Sequence, residues 1–217
     1  MRSFPPARHI PDNTGHESVA ETAKEWLRDC KYRHTSCKRT NEERLEDWHA
    51  SRLIEVGTSD RPQRLALRHG SDDTLEGPYA ALSYCGGENP QFLRLTTTNI
   101  EELRQEIPWQ SLPTSFQDGI ITCRRLGIPY IWIDSLCILQ AGDGSESDWQ
   151  FHVPQEMANI YSNCELNIAI AISENPDQEA FRSRNPDYLQ DCYTWTDSHE
   201  LPLDPPPSSE PKPSFCM

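Results

Sequence analysis

Leu126-Gly127-Ile128-Pro129-Tyr130-Ile131-Trp132-Ile133-Asp134-Ser135-Leu136-Cys137-Ile138 is the stretch that decides the fold. A glycine suited to ending a helix leads into a dense run of β-branched and aromatic residues, and the run closes on Asp-Ser-Leu-Cys. Apolar character on both alternations marks a strand covered on both faces, the kind that α/β sheets bury. Open α/β sheets place their sites outside the carboxyl ends of such strands, which is where Asp134, Ser135 and Cys137 stand.

Working outward, Pro113-Thr114-Ser115 opens a helix with Phe116, Ile120 and Cys123 on one stripe, and Gly127 ends it. Tyr79 to Tyr84 reads as a strand running into a Gly86-Gly87 turn. Thr98-Asn99-Ile100-Glu101 has the form of a capping box, with a helix to about Glu106. Ala141 to Ser147 reads as a polar loop, and Pro154 to Tyr161 as a helix with Met157, Ile160 and Tyr161 inward. Leu166 to Ile172 is a strand whose small alternate residues suit burial on both faces. Nearer the start, Glu17 to Arg28 reads as a helix with Val19, Ala23, Trp26 and Leu27 on one side. Arg52 to Val56 and Arg64 to Leu67 read as short strands. This order predicts an α/β domain with a mainly parallel sheet flanked by helices in three layers.

Three regions follow. Residues 1–77 form a polar N-terminal extension, 78–184 carry the periodic core, and 185–217 form an acidic, proline-rich tail read as disordered. The tail's six closely spaced prolines remove donors and fix φ, which blocks helix and sheet alike. Mean hydropathy is -0.73 and hydrophobic residues are 35%, low for a chain packed throughout. A net charge of -14 speaks against nucleic acid or an anionic membrane as partner, since phosphates need clustered Lys and Arg. No apolar run approaches the roughly 20 residues of a membrane span, and the N-terminus lacks a signal-peptide core. The expected location is cytoplasmic. The eight cysteines then read as thiols or metal ligands rather than disulfides.

Several residues carry two readings each. Asp134, Ser135 and Cys137 either face a ligand, or Asp134 caps the next turn while Cys137 packs in the core; turn chemistry favours the second. Glu156 is either an acid-base group in a cleft or a carboxylate favoured by a helix start. Asp118 lies two turns from Arg125; it either pairs across that face or is a solvated first-turn carboxylate, the reading favoured here. Cys30, His34 and Cys37 offer three zinc ligands where a structural zinc needs four, with His49 or Cys85 as candidates for the fourth. Packed thiols and a helix-terminal histidine are the alternative, and zinc the cofactor at stake. Ser83 and Tyr84 before the glycine turn read mostly as turn geometry. No Ser-His-Asp arrangement, P-loop or zincin signature is found.

Three blocks of the chain together resemble the fungal heterokaryon incompatibility (HET) domain. The first is Tyr79-Ala80-Ala81-Leu82-Ser83-Tyr84, with Leu95-Thr96 and Asn99. The second is Leu112-Pro113-Thr114-Ser115-Phe116-Gln117-Asp118, through Arg124-Arg125-Leu126-Gly127-Ile128 to Trp132-Ile133-Asp134-Ser135-Leu136-Cys137-Ile138-Leu139-Gln140. The third is Asp148-Trp149, Glu156-Met157-Ala158-Asn159-Ile160-Tyr161 and the strand after it. The motif positions are thus Ser83, Tyr84, Pro113, Asp118, Arg124, Gly127, Trp132, Asp134, Ser135, Cys137, Gln140 and Tyr161. Gly86 stands where the family usually has Trp, and Gly119 where it has Ala. A later Arg-Xaa-Trp-Xaa-Xaa-Gln-Glu block has no counterpart; Tyr193-Thr194-Trp195-Thr196 is the nearest fragment, so the core reads as incomplete and the chain as truncated or divergent at its end.

The resemblance implies self/non-self recognition and programmed cell death, a form of innate immunity. Its implied partners are other HET or NLR-type incompatibility proteins, or further copies of the chain. The family's distant likeness to Toll/interleukin-receptor (TIR) domains implies a TIR- or flavodoxin-like fold. It also implies NAD as a substrate, with Asp134 and Glu156 as catalytic candidates. Whether the chain is an enzyme stays open, since the missing block is where a catalytic Glu would stand.

Overall fold

Tyr79–Ser83 (β3) and Tyr130–Trp132 (β4) lie side by side at the centre of a five-stranded sheet. The computed structural model describes residues 10–35, 50–58, 60–67, 75, 77–88, 91–151 and 156–185. All but Ile10 belong to one compact unit, Pro11–Asn185. The other strands are β1 (Arg52–Glu55), β2 (Arg64–Leu67) and β5 (Leu166–Ala169), in the order β2-β1-β4-β3-β5. The helices are α1 (Glu17–Tyr32), α2 (Ile100–Leu103), α3 (Thr114–Leu126), α4 (Asp134–Cys137), α5 (Ser145–Phe151) and α6 (Met157–Asn163).

The class is α/β, and the sheet is mixed. β4–β3 and β3–β5 pair parallel, whereas β1–β2 and β1–β4 pair antiparallel. The expected parallel arrangement therefore holds for one half of the sheet and not for the other. Chain length between strands is the reason. β3 to β4 and β4 to β5 are long enough to carry α3 and α6 as crossovers, while β1 to β2 is a tight return that permits only an antiparallel pair. That return turns at Gly57, which has φ +68°, and closes with a Thr58 N–H bond to the Arg61 carbonyl at 3.0 Å.

Register sorts the side chains by face. Ile54, Ala80, Leu82, Ile131 and Ile168 share one side; Tyr79, Ala81 and Trp132 share the other. α3 covers the first side closely: a Cβ at Gly119 would stand 3.3 Å from methyls of Ile131 and Leu82. The glycine thus stands where helix and sheet approach closely. An intrinsic helix cost of about 1 kcal/mol is set against that close packing. α6 covers the second side, where the Tyr79 hydroxyl donates to the Ile160 carbonyl at 2.6 Å and Trp132 meets Tyr161 edge to face at 5.8 Å. α1 packs on α3. Phe116, Ile120, Cys123, Ile131, Ile133 and Leu136 form the fully buried centre. The stripe on α3 and its left-handed Gly127 end, φ +75°, match the sequence reading.

Three local expectations need correction. The Thr98 capping box does not form. Asn99 holds the N-cap position, yet its side chain accepts from the Thr96 N–H and donates to the Arg94 carbonyl, so it fastens the loop and α2 is a single turn. The polar loop over Ala141 to Ser147 gives way at Ser145 to α5, because Asp148 is anchored from β1 across a long sequence gap. Trp26 is 70% exposed and lies off the packed side of α1, unlike Val19, Ala23 and Leu27. Pro154 lies outside the described residues, as do Cys37 and His49.

Candidate functional site

β4 ends at Trp132, the chain turns at Ile133, and Asp134 begins the single-turn α4. β3 ends beside it at Ser83, followed by Tyr84. Parallel pairing brings these two carboxyl ends together. The Tyr84 hydroxyl donates to Asp134 Oδ1 at 2.7 Å and lies 2.9 Å from Ser135 Oγ. With one proton, Tyr84 donates to the carboxylate and accepts from the serine. Oδ1 also accepts the Ser135 N–H at 2.6 Å. Both bonds fall on the same oxygen, which leaves Oδ2 of the half-buried Asp134 without a hydrogen-bond partner among the described residues.

The electrostatics follow from this geometry. Burial, then the charge of Asp134, pushes the Tyr84 phenol well above its usual range, so it stays neutral and serves as a donor. Tyr161 on α6 is raised in the same way, by burial first and by Asp134 second. Cys137 is fully buried and burial pushes its thiol up to about 12, so it is a packed thiol and not a nucleophile. Neither described histidine, His16 or His34, bonds to Ser135, so among the described residues no imidazole is placed to activate that serine. The turn-capping reading of Asp134 thus holds in part, through one backbone N–H, while Tyr84 gives the carboxylate a second and longer-range tie.

Beside the cluster lies a cleft of about 680 Å³ lined by Cys85, Gly86, Gly87, Phe92 and Asn175, among others. The ring of Phe92 meets those of Tyr84 and Phe116 edge to face at 6.3 and 5.5 Å. A Cβ at Gly86 would meet nothing within 4 Å. Gly86 therefore opens onto the cleft and leaves no void in the core, so a glycine here carries none of the cavity cost that deleting a buried aromatic brings.

The other motif residues hold the frame. Asp118 is 8% exposed, and its Oδ2 accepts the N–H groups of Ala180 at 2.8 Å and Phe181 at 3.3 Å. It is neither a surface carboxylate nor a partner of Arg125, because the backbone beyond β5 returns over α3 and takes it. Arg124 donates to the Val56 carbonyl, with its guanidinium 5.2 Å from the Trp109 ring centre. Arg125 turns instead to Glu17, at 3.4 Å. Pro113 caps α3, and Gln140 donates to the Ile138 carbonyl at 3.0 Å. Glu156 precedes α6 without a side-chain cap bond, and no hydrogen bond or ion pair joins it to Asp134 among the described residues. Cys30 is half-buried in α1 and His34 is exposed just beyond it.

Sequence reasoning missed Arg52. Its guanidinium holds Asp148 through two 2.9 Å bonds and donates to the Cys137 carbonyl at 3.0 Å, while Asp148 accepts the Leu139 N–H at 2.7 Å. This clamp fixes the exit from α4 and hence the turn that carries Asp134. Ninety-six residues separate the pair, so no local pattern announces it.

The α/β sheet thus carries a polar cluster at the carboxyl ends of β3 and β4. The chain belongs to the heterokaryon incompatibility protein (HET) family, whose model matches residues 79–209. That match spans the three parallel strands, α3, the Asp134 turn and α6. No curated protein and no solved structure matches the chain. No described helix is long and apolar enough to cross a membrane.

Proposed function

We propose that this chain is a cytoplasmic signalling and interaction module of fungal self/non-self recognition, coupled to programmed cell death. Residues 78–184 form its HET core. Residues 1–77 act as an extension, and 185–217 as an acidic tail. Its partners are other HET or NLR-type incompatibility proteins and further copies of itself. The observation that carries this reading is the Tyr84–Asp134–Ser135 cluster, built from motif residues of the matched family and set at the carboxyl ends of β3 and β4. A neutral tyrosine, a half-open carboxylate and a serine make a recognition surface of fixed geometry. Inducible expression of the chain in a filamentous fungus tests it. Growth arrest with loss of membrane integrity is expected; unimpaired growth at confirmed expression would remove the death-signalling role.

A second reading, a TIR-like NAD-cleaving effector, is favoured by one observation: the cleft is lined by Phe92, whose ring meets that of Tyr84, the residue bonded to Asp134. It places Asp134 at the nucleotide, with Glu156 as the other catalytic candidate. Nicotinamide release by the purified chain, abolished in Asp134→Asn, is its signature. No release above a heat-treated control would leave the interaction module alone. Zinc at Cys30, His34 and Cys37 is a separate proposal, tested by metal analysis of chain purified without chelator.

A further inference from the structure

The segments that follow β3 and β5 form the walls of one cleft, Cys85 to Glu88 on one side and Glu174 to Asp177 on the other. The chain leaves β3 toward β4 and returns past it to β5, so strand order reverses between the ends of β3 and β5. Open α/β sheets leave a crevice for ligands at that place. The volume here, about 680 Å³, is that of a ligand site. The walls are held in position. Gly87 has φ +78°, and a Cβ there would stand 3.1 Å from Asn175 Cβ, so the two segments meet. The Pro176 carbonyl accepts the Ser115 N–H at 3.0 Å, which ties the second wall to the start of α3.

The charge of the cleft has one sign. Glu88, Glu174 and Asp177 line it, all three exposed, and no Lys, Arg or His lines it among the described residues. Their carboxylates make no hydrogen bond or ion pair with a described residue. Carboxylates elsewhere do find cations: Glu165 meets Lys31 at 3.1 Å, and Glu55 meets Arg64 at 2.7 Å. Among the described residues no group of His, Cys, Asp and Glu is arranged to hold a metal ion, so the counter-charge that suits this cleft is an extended organic cation. Phe92 adds an aromatic ring to the same lining. A guanidinium matches both features, because its planar fork donates to carboxylates and its face stacks on aromatic rings. An anionic ligand would meet three like charges in a chain of net charge -14.

We infer that this cleft receives an arginine-bearing segment of a partner protein, with Phe92 as the aromatic contact and Glu88, Glu174 and Asp177 as the counter-charge. Charge complementarity selects the occupant, and the field of the whole acidic chain steers a basic segment toward it. This rests on reading the chain as an interaction module and names the chemistry that its partner presents.

Isothermal titration calorimetry of the purified full chain with a synthetic hexapeptide of alternating Arg and Gly tests the inference. Saturable binding that weakens as salt rises is expected, with none for the same peptide carrying Glu in place of Arg. Glu174→Gln with Asp177→Asn removes two cleft charges and should weaken binding about tenfold. Glu21→Gln with Glu25→Gln removes two charges from the exposed face of α1 and should leave the affinity unchanged. Gly86→Trp should fill the cleft and block the peptide with unchanged circular dichroism, because a Cβ there meets nothing within 4 Å. Absence of saturable binding overturns the inference. Equal losses in the two charge-removed pairs do so too, since overall charge would then explain the binding, as does wild-type affinity in Gly86→Trp. Displacement of the bound peptide by NAD at equal concentration would give the cleft to a dinucleotide and overturn it as well. Binding is read on purified chain with a synthetic probe, so its failure and a failure of the chain to kill cells are separate results.

Discussion

Tyr84 joins two strands through one hydroxyl, and its environment fixes what that hydroxyl does. Burial and Asp134 together keep the phenol protonated, so it donates to the carboxylate at any ordinary pH. Tyr84→Phe keeps the ring against Phe116, 4.7 Å away, and deletes only the donor. A hydrogen bond to a charged group contributes about 1.5–3 kcal/mol, and the partial exposure of Asp134 places the loss at the low end. Urea unfolding should show a lower midpoint with an unchanged slope. The buried thiols give a second residue-level test. Burial pushes Cys123 and Cys137 up to about 12, from an ordinary value of 9.0. Between those values the unfolded chain has lost its thiol protons and the folded chain has not. Folded stability should therefore fall as pH rises from about 9 toward 12. At neutral pH, peptide mapping after brief alkylation should label the exposed Cys85 and leave Cys123 and Cys137 until the chain unfolds. Labelling of all three at equal rates would contradict the packing.

Between elements, the decisive contacts are those that tie loops to the sheet. Arg52 and Asp148 have side chains 16% and 14% exposed, and each also bonds the backbone around α4. Breaking a buried pair costs about 3–5 kcal/mol because one charge is left alone. Arg52→Ala should approach that loss, while Arg52→Met with Asp148→Leu should lose much less; equal losses would show that the clamp acts by packing alone. The elements themselves were largely legible in the sequence. Phe116, Ile120, Cys123 and Gly127 announced α3 by spacing and a glycine stop, and the run from Tyr130 to Ile133 announced β4 by composition. What was not legible depends on distant partners. The side chain of Asn99 turns to Thr96 and Arg94, so a capping pattern gave no cap. Asp118 looked solvated because the amides of Ala180 and Phe181 that bury it come from the other side of β5.

For the whole molecule, the mixed sheet separates two roles. The antiparallel β1–β2 hairpin pairs with β4 and delivers Arg52 to the Asp134 turn. The parallel strands β3 and β4 carry the cluster at their carboxyl ends, and β5 pairs parallel on the far side of β3. Strand position alone set Asp134 and Ser135 at the carboxyl end of β4, where the structure has them. It could not supply Tyr84 as their partner, because residue 84 meets residue 134 only through the register of β3 on β4. Nor could it show that no described bond joins Glu156 to Asp134, since the two stand in separate motif blocks.

The most direct test of the account is cell viability after induction of the wild-type chain and of Asp134→Asn in the same fungal strain, at matched protein level and with folding verified by circular dichroism. The account predicts that the wild type kills and that Asp134→Asn, which keeps the shape and removes the charge, does not. Killing by the variant equal to that by the wild type would place the signalling surface elsewhere and contradict the assignment of the Tyr84–Asp134–Ser135 cluster.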